Sequence, residues 1–201
     1  MQKDHNTEQR IMAAARKVFL TKGMAGARMQ DIADEAGINK ALLHYYFRNK
    51  DKLFGMVFRE AMAGFIPWAN NVFASGLPLF EKIETFTREY IGLLMDNPYI
   101  PLFVLNEINR QPEKFIRKMW DGNQPTPGAL IQQLESEIKK GLIKPIDPRQ
   151  LIINMISMCI FPFVGKPMIQ LVMKLNDAQF RQLMEQRKTE VAGFIIHSIR
   201  K

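Results

Sequence analysis

The chain has 201 residues, a hydrophobic content of 47% and a formal net charge of +8, and this length is enough for one or two domains with a buried core. Its single cysteine, Cys159, excludes a disulfide framework within the chain. The segment MQKDHNTEQR is polar, and no apolar run reaches the roughly 20 residues that a membrane span needs. We therefore expect a cytoplasmic protein that does not enter a membrane.

The first predicted helix lies in the segment TEQRIMAAARKVFLTKG, which begins at Thr7. Its apolar residues recur at three- and four-residue spacing, and this spacing predicts one packed helix face. The residues on that face are Ile11, Ala14, Ala15, Val18 and Phe19. Gly23 follows and is expected to end the helix.

Two short helices joined by a glycine turn are predicted in DIADEAGINKALLHYYF, residues 31–47. Gly37 can enter the left-handed conformation that ends a helix. Asn39 can cap the second helix by accepting a hydrogen bond from the free amides near Leu42. Such a pair is a helix-turn-helix, whose second helix fits the major groove of DNA. We expect this motif over about residues 28–47.

Several basic and aromatic residues lie on or just after the second helix but are not needed for its buried stripe: Lys40, His44, Tyr45, Arg48 and Lys50. Lys and Arg bind phosphates electrostatically, and Tyr hydroxyls donate hydrogen bonds to them. Residues 1–60 hold 11 Lys and Arg against 7 Asp and Glu, so half of the net charge lies in under a third of the chain. The pattern favours DNA binding over the alternative, an ordinary helical hairpin with a solvated basic face.

The stretch AGINKALLHYYFRNKDKLF, with DIA before it, resembles the DNA-binding domain of the TetR family of bacterial transcriptional regulators. The resemblance begins near Thr7 and fades after about Phe58. It implies that four residues face DNA bases, namely Lys40, Ala41, Leu42 and His44. Four others are expected to hold phosphates, namely Arg28, Tyr45, Tyr46 and Lys50.

Two residues depart from the pattern of the family. Arg28 stands where Ser or Thr usually caps the helix before the glycine turn, and arginine cannot cap but can reach a phosphate. His44 stands where Tyr is common. Among the base-facing positions, Lys40 suits guanine O6 or N7, and Ala41 and Leu42 suit thymine methyl groups.

The rest of the chain is also predicted to be helical, because apolar residues recur at helical spacing between Pro and Gly breaks. Further helices are expected from Asn49 toward Phe65, over 78–96, 101–109, 112–120, 127–140 and 147–158, and from Asp177 onward. The expected fold is all-α. A three-helix helix-turn-helix domain over residues 1–55 is joined to a larger helical bundle over residues 56–201.

The resemblance implies that the second domain binds an effector and forms the dimer. Its large aromatic and Met side chains suit a pocket for a small apolar or amphipathic molecule, although any helical core uses the same residue types. The candidate pocket residues are Phe65, Trp68, Phe86, Tyr90, Phe103, Met119 and Trp120.

Two segments near the C-terminus are candidates for self-association. Residues 151–173 are apolar nearly all round, and the final helix carries a wide apolar stripe. A homodimer that buries these faces in a four-helix interface explains both features and would present two recognition helices to a palindromic operator. The alternative is a deep core within one chain. The candidate interface residues are Ile152, Met155, Phe161, Phe194, Ile195 and Ile199.

No catalytic residue, metal site or cofactor is predicted. The three histidines, His5, His44 and His197, lack the spacing of a metal motif, and the chain has no Gly-rich phosphate loop. We expect a DNA-binding transcriptional regulator, and the resemblance implies a repressor that a ligand releases from its operator. The alternative is a non-enzymatic helical adaptor that uses the helix-turn-helix for protein contacts.

Overall fold

The computed structural model describes residues 2–110, 113 and 124–201, which form eleven helices and one isolated β-bridge between Ile143 and Arg200. The helices are α1 (Gln2–Gly26), α2 (Met29–Ala36), α3 (Lys40–Tyr46), α4 (Lys50–Ala63), α5 (Phe65–Ala74), α6 (Leu79–Asp96), α7 (Ile100–Arg110), α8 (Gly128–Lys139), α9 (Pro148–Val164), α10 (Lys166–Met173) and α11 (Asp177–Ile199). The all-α class expected from the sequence is confirmed.

The chain divides into two compact units. The first contains α1–α4 and α7, and the second contains α5, α6 and α8–α11. The expected boundary at residue 55 lies inside α4, because this helix continues to Ala63. Helix α7 belongs to the first unit, since the ring centroid of Phe103 lies 4.1 Å from that of Phe54 and 5.5 Å from that of Phe58.

The core of the first unit is built on aromatic contacts under the two short helices. Phe54 is fully buried, and its ring packs edge-on against Phe19 at 4.6 Å and against Tyr99 at 5.4 Å. The packed face predicted for the first helix is buried as well. Helices α2 and α3 are only eight and seven residues long, so their stability must come from packing on this core.

In the second unit, α6 packs most extensively against α11 and also contacts α5 and α9. Helices α9 and α11 run antiparallel, because Arg187 contacts Met158 and Phe180 contacts Phe163. Helix α9 continues past Pro162, whose missing N–H leaves the Met158 carbonyl without its intrahelical donor. The Arg187 guanidinium supplies two replacement hydrogen bonds, from Nε at 3.1 Å and Nη2 at 2.9 Å.

The helices differ from the sequence prediction in three places. Helix α5 was not predicted as a separate helix, because a proline such as Pro67 usually ends a helix. Pro67 is instead the third residue of α5, where the missing N–H costs no intrahelical hydrogen bond. Helix α9 extends six residues beyond Met158 to Val164. Helix α10 follows at an angle of 71°. Apart from residue 113, the helix predicted over 112–120 lies outside the described residues.

Among the described residues, no single helix has both the length and the apolar character of a membrane span. The bent pair formed by Pro148–Val164 and Lys166–Met173 meets those criteria only when the two helices are taken together.

Candidate nucleic-acid interface

Two features of the turn between α2 and α3 favour glycine at position 37. Gly37 has φ 63° and ψ 39°, in the left-handed region that side chains disfavour. A Cβ at this position would also lie 3.3 Å from Nη2 of Arg10. The turn closes with hydrogen bonds from the Gly37 amide to the Asp34 carbonyl at 3.1 Å and from the Ile38 amide to the Ala33 carbonyl at 3.0 Å. Two short helices are thereby held at a fixed angle.

Helix α3 begins with a side-chain cap. Oδ1 of Asn39 accepts a hydrogen bond from the Leu42 amide at 2.7 Å, which is the cap that the sequence predicts. Asn49 caps α4 in the same way, with the Lys52 amide donating to its Oδ1 at 2.8 Å. The first turn of α3 and the first turn of α4 are therefore each fixed by a side-chain cap.

One side of α3 is buried and the other is open to solvent. Leu43 and Phe47 are in the core, and Tyr46 is half-buried. The four residues expected to face bases, Lys40, Ala41, Leu42 and His44, are all exposed. Tyr45 is 81% exposed, with its ring edge-on to Tyr46 at 5.4 Å. The open side thus combines an ammonium, small apolar groups, an imidazole and a phenol.

Side chains from α1 support the helix-turn-helix from behind. Nη2 of Arg10 donates to the Ala36 carbonyl at 2.6 Å, at the end of α2. Nζ of Lys17 pairs with Glu35 at 2.6 Å. The sequence alone did not indicate that Arg10 supports the turn. A basic residue on α1 has the same pattern as a solvated surface charge, and only the fold places it beside Ala36.

The N-terminus of α2 is capped from within the helix. The Asp31 carboxylate accepts from the Arg28 amide at 3.0 Å and pairs with Nζ of Lys22 at 2.9 Å. The hydrogen bond from Lys22, followed by the one from the Arg28 backbone, holds the pKa of Asp31 below its usual range. The Arg28 side chain is exposed, so its guanidinium is available for a phosphate.

The phosphate contact of Lys50 stays a prediction, and the structure gives its ammonium a partner within the protein. This residue is half-buried, and its ammonium donates to the Ala27 carbonyl at 3.0 Å. That bond ties the start of α4 to the segment between α1 and α2. The position of Lys50 is therefore explained by a contact within the protein. His44, which is exposed, has its Nδ1 atom 3.2 Å from the Arg48 carbonyl.

In the second unit, four of the predicted pocket residues come together. Phe65 stacks on Tyr90 at 4.9 Å and lies 5.5 Å from Trp68 and 6.1 Å from Phe86. Phe103 does not belong to this group, because it packs in the core of the first unit. Met119 and Trp120 lie outside the described residues.

The predicted dimer residues divide into two groups. Met155, Ile195 and Ile199 are buried within the chain, so assigning them to a dimer interface was a mistake: they belong to the core between α6, α9 and α11. Ile152 is half-buried, whereas Phe161 is 55% and Phe194 is 64% exposed. Periodicity alone could not separate the two faces, because both carry apolar residues. The exposed residue Ile153 was missed for that reason.

The fold and the exposed face of α3 define a helix-turn-helix DNA-binding protein. Residues 11–57 match the family described as "Bacterial regulatory proteins, tetR family". This segment therefore carries the DNA-binding domain of the TetR family of transcriptional regulators.

Individual relatives agree with this assignment. The chain is 26% identical over 149 residues to the HTH-type transcriptional regulator YhgD of Bacillus subtilis, covering 69% of this chain and 72% of that protein. It is 45% identical over 56 residues to the HTH-type transcriptional repressor SCO4008 of Streptomyces coelicolor, covering only 28% and 29%. The fold resembles that of FadR from Bacillus subtilis, solved with stearoyl-CoA, with a TM-score of 0.61, 18% identity and coverage of 92% and 97%.

Proposed function

We propose that this regulator is a homodimeric repressor that binds a palindromic operator through α3 and leaves it when a small apolar or amphipathic molecule enters the second unit. The observation that carries the proposal is the open side of α3, held in place by the Gly37 turn and the Asn39 cap. An adaptor that used the motif for protein contacts would have no need of this basic, phosphate-capable surface.

The DNA contacts follow from the exposed groups. Lys40 lies in the first turn of α3, and its ammonium can donate to guanine O6 or N7, while Ala41 and Leu42 can contact thymine methyls. Among the phosphate candidates, Arg28 and Tyr45 are exposed. Tyr46 and Lys50 are half-buried and are the weaker candidates.

Dimerisation is supported by the outward face of α11. A groove of about 460 Å³ runs along it, lined by Thr189, Glu190, Gly193, Phe194, His197 and Ser198. Phe194 and Ile153 each expose more than half of their surface, and large apolar side chains of this kind mark an interaction surface. A dimer that binds a palindromic operator needs its two copies of α3 about one helical turn of DNA, roughly 34 Å, apart.

Two lines of support favour repression and ligand release. The relative from Streptomyces coelicolor is named a repressor, and FadR was solved with an apolar acyl-CoA. In this chain, the aromatic group formed by Phe65, Trp68, Phe86 and Tyr90 offers a broad apolar surface of the type that such molecules contact.

The test begins with selection of a preferred duplex from randomised DNA, followed by titration at several salt concentrations. We expect a palindromic site and an affinity that falls steeply with salt, because phosphate contacts release counterions. Lys40→Ala should weaken binding to that site by about 1–3 kcal/mol and flatten the preference at one base pair per half-site. Lys139→Ala removes the same charge from an exposed position in the second unit and is the matched control. Identical base preferences for parent and Lys40→Ala would contradict the base-reading role.

A further inference from the structure

Tyr90 is enclosed by aromatic rings of the second unit. Its ring stacks on Phe65 at a centroid distance of 4.9 Å and an interplanar angle of 22°. Phe86 lies 5.4 Å away on the same helix, and Trp68 extends the surface beyond Phe65. The phenol is thus placed among flat apolar surfaces.

The Tyr90 hydroxyl differs from the other enclosed polar groups of this unit. Thr87 is fully buried and donates to the Ile83 carbonyl at 2.9 Å, and the buried Lys82 donates to the Phe73 carbonyl at 2.8 Å. Among the described residues, the Tyr90 hydroxyl has no hydrogen-bond partner. Because the Tyr90 side chain is only half-buried, its hydroxyl is a free donor that a bound molecule can use.

The surroundings of Tyr90 combine enclosure with access. Burial raises the pKa of Tyr90 well above its usual range, and the nearby Cys159 thiol acts in the same direction. The side chain nevertheless keeps part of its surface accessible, unlike Phe86. The phenol is therefore partly desolvated by the aromatic rings and still accessible.

Apart from the Arg187 guanidinium near Cys159, the groups named around Tyr90 are uncharged. Burial raises the pKa of the Cys159 thiol to about 12, so it is uncharged at neutral pH. The aromatic rings carry no charge, and the phenol offers one strong donor. A complementary molecule would present a flat or apolar body and one acceptor, such as the carbonyl oxygen of a ketone, ester or amide.

We propose that Tyr90 is a specificity-determining residue of the effector site and selects an apolar, flat molecule that carries a carbonyl-type acceptor. This proposal rests on the proposed function in that it places the effector in the second unit. The hydroxyl donates to the ligand oxygen, while Phe65 and Trp68 cover the apolar body.

The experiment compares two probe molecules of nearly the same shape, 2-acetylnaphthalene and 2-ethylnaphthalene. Their dissociation constants are measured by calorimetry for the full-length parent and for Tyr90→Phe, which removes one oxygen atom. The parent should prefer the ketone by about three- to tenfold, the range expected for one neutral hydrogen bond. Tyr90→Phe should lose this preference, with the affinity for the hydrocarbon unchanged within about twofold.

Tyr45→Phe is the matched control, because it makes the same chemical change at an exposed position of the first unit. It should keep the full preference for the ketone. A ketone preference that persists in Tyr90→Phe, the lack of any preference in the parent, or failure of both probes to bind the parent would each overturn the proposal.

A second measurement needs no variant. The carbonyl stretching band of isotope-labelled 2-acetylnaphthalene bound to the parent should shift to lower frequency than in a hydrocarbon solvent, and an unshifted band would overturn the proposal. Binding of the selected duplex is measured separately on the same samples without probe. A parent protein that shows no preference among duplexes would refute the proposed DNA-binding function. The probe measurements would still test the role of Tyr90, so failure of the proposed function and failure of this inference are distinguishable.

Discussion

The first unit is notable for polar side chains that fix its short helices, and the second for large apolar side chains on its surface. In the first unit, Arg10, Asn39 and Lys50 each bind a backbone group and thereby fix the short helices of the helix-turn-helix. In the second unit, large apolar side chains such as Phe161, Leu171 and Phe194 remain on the surface. The difference indicates that the second unit presents apolar surfaces suited to contact with another molecule.

The largest expected effect compares one phenylalanine from each unit. Phe54 is fully buried and packs on Phe19, Tyr99 and Phe103. Phe54→Ala should therefore lower the free energy of unfolding by about 3–5 kcal/mol. Phe194→Ala removes the same ring from a site that is 64% exposed, and at protein concentrations where the chain is monomeric it should cost well under about 1 kcal/mol. Urea unfolding followed by circular dichroism measures both, and equal losses would contradict the contrast.

The same contrast explains what the sequence alone could predict. The helix-turn-helix was predictable because it depends on local features of the sequence. The turn needs a left-handed residue, which Gly37 supplies, and Asn39 caps the helix that begins at the next residue. The spacing of the buried residues on α1 and α2 follows from helix geometry in the same way.

The second unit was less predictable because the roles of its residues depend on tertiary partners. Ile195 and Phe194 are adjacent apolar residues, yet one is buried and the other is exposed. Phe103 has an aromatic side chain of the type that lines pockets, but it packs against Phe54. Pro67 reads as a helix stop, although a first-turn proline is tolerated within α5.

A second expected effect concerns assembly through the outward face of α11. Phe194→Glu places a charge at the centre of the proposed interface, where truncation of a central aromatic residue costs about 2–4 kcal/mol of binding. We expect monomeric protein by light scattering and loss of high-affinity operator binding, because one copy retains half of the contacts. Its unfolding free energy as a monomer should stay close to that of the parent, since the side chain is exposed.

Thr189→Glu is the control for charge alone, because it adds a carboxylate five residues before Phe194, at an exposed position along the same groove. It should weaken the dimer less than Phe194→Glu does. A Phe194→Glu protein that stays dimeric and binds the operator at parental affinity would exclude this face as the interface.

An intermediate effect is expected where α11 compensates for a proline in α9. Arg187→Met leaves the Met158 carbonyl without its two guanidinium donors and should destabilise the protein by about 1–3 kcal/mol. Pro162→Ala restores a backbone N–H that can donate to the same carbonyl. In the Pro162→Ala background, Arg187→Met should therefore cost less. A double-mutant cycle on unfolding free energies measures this coupling, and strictly additive losses would show that the guanidinium does not substitute for the missing helix bond.

The smallest expected effect is a pH dependence in the first unit. Lys22 and the Arg28 amide lower the pKa of Asp31 in the folded state, and these contacts are lost on unfolding, where the pKa returns toward 3.8. A carboxylate with a lowered folded pKa stabilises the fold above its unfolded pKa, and this contribution disappears as the pH falls through the folded value. Asp31→Asn should thus be slightly less stable than the parent at neutral pH, because exposed ion pairs contribute little. The difference in urea midpoint should shrink below about pH 4. Asp34→Asn, which keeps an acceptor for the Gln30 amide, is the control on the same helix. A stability difference for Asp31→Asn that stays constant down to about pH 3 would show that the ionised carboxylate does not stabilise the start of α2.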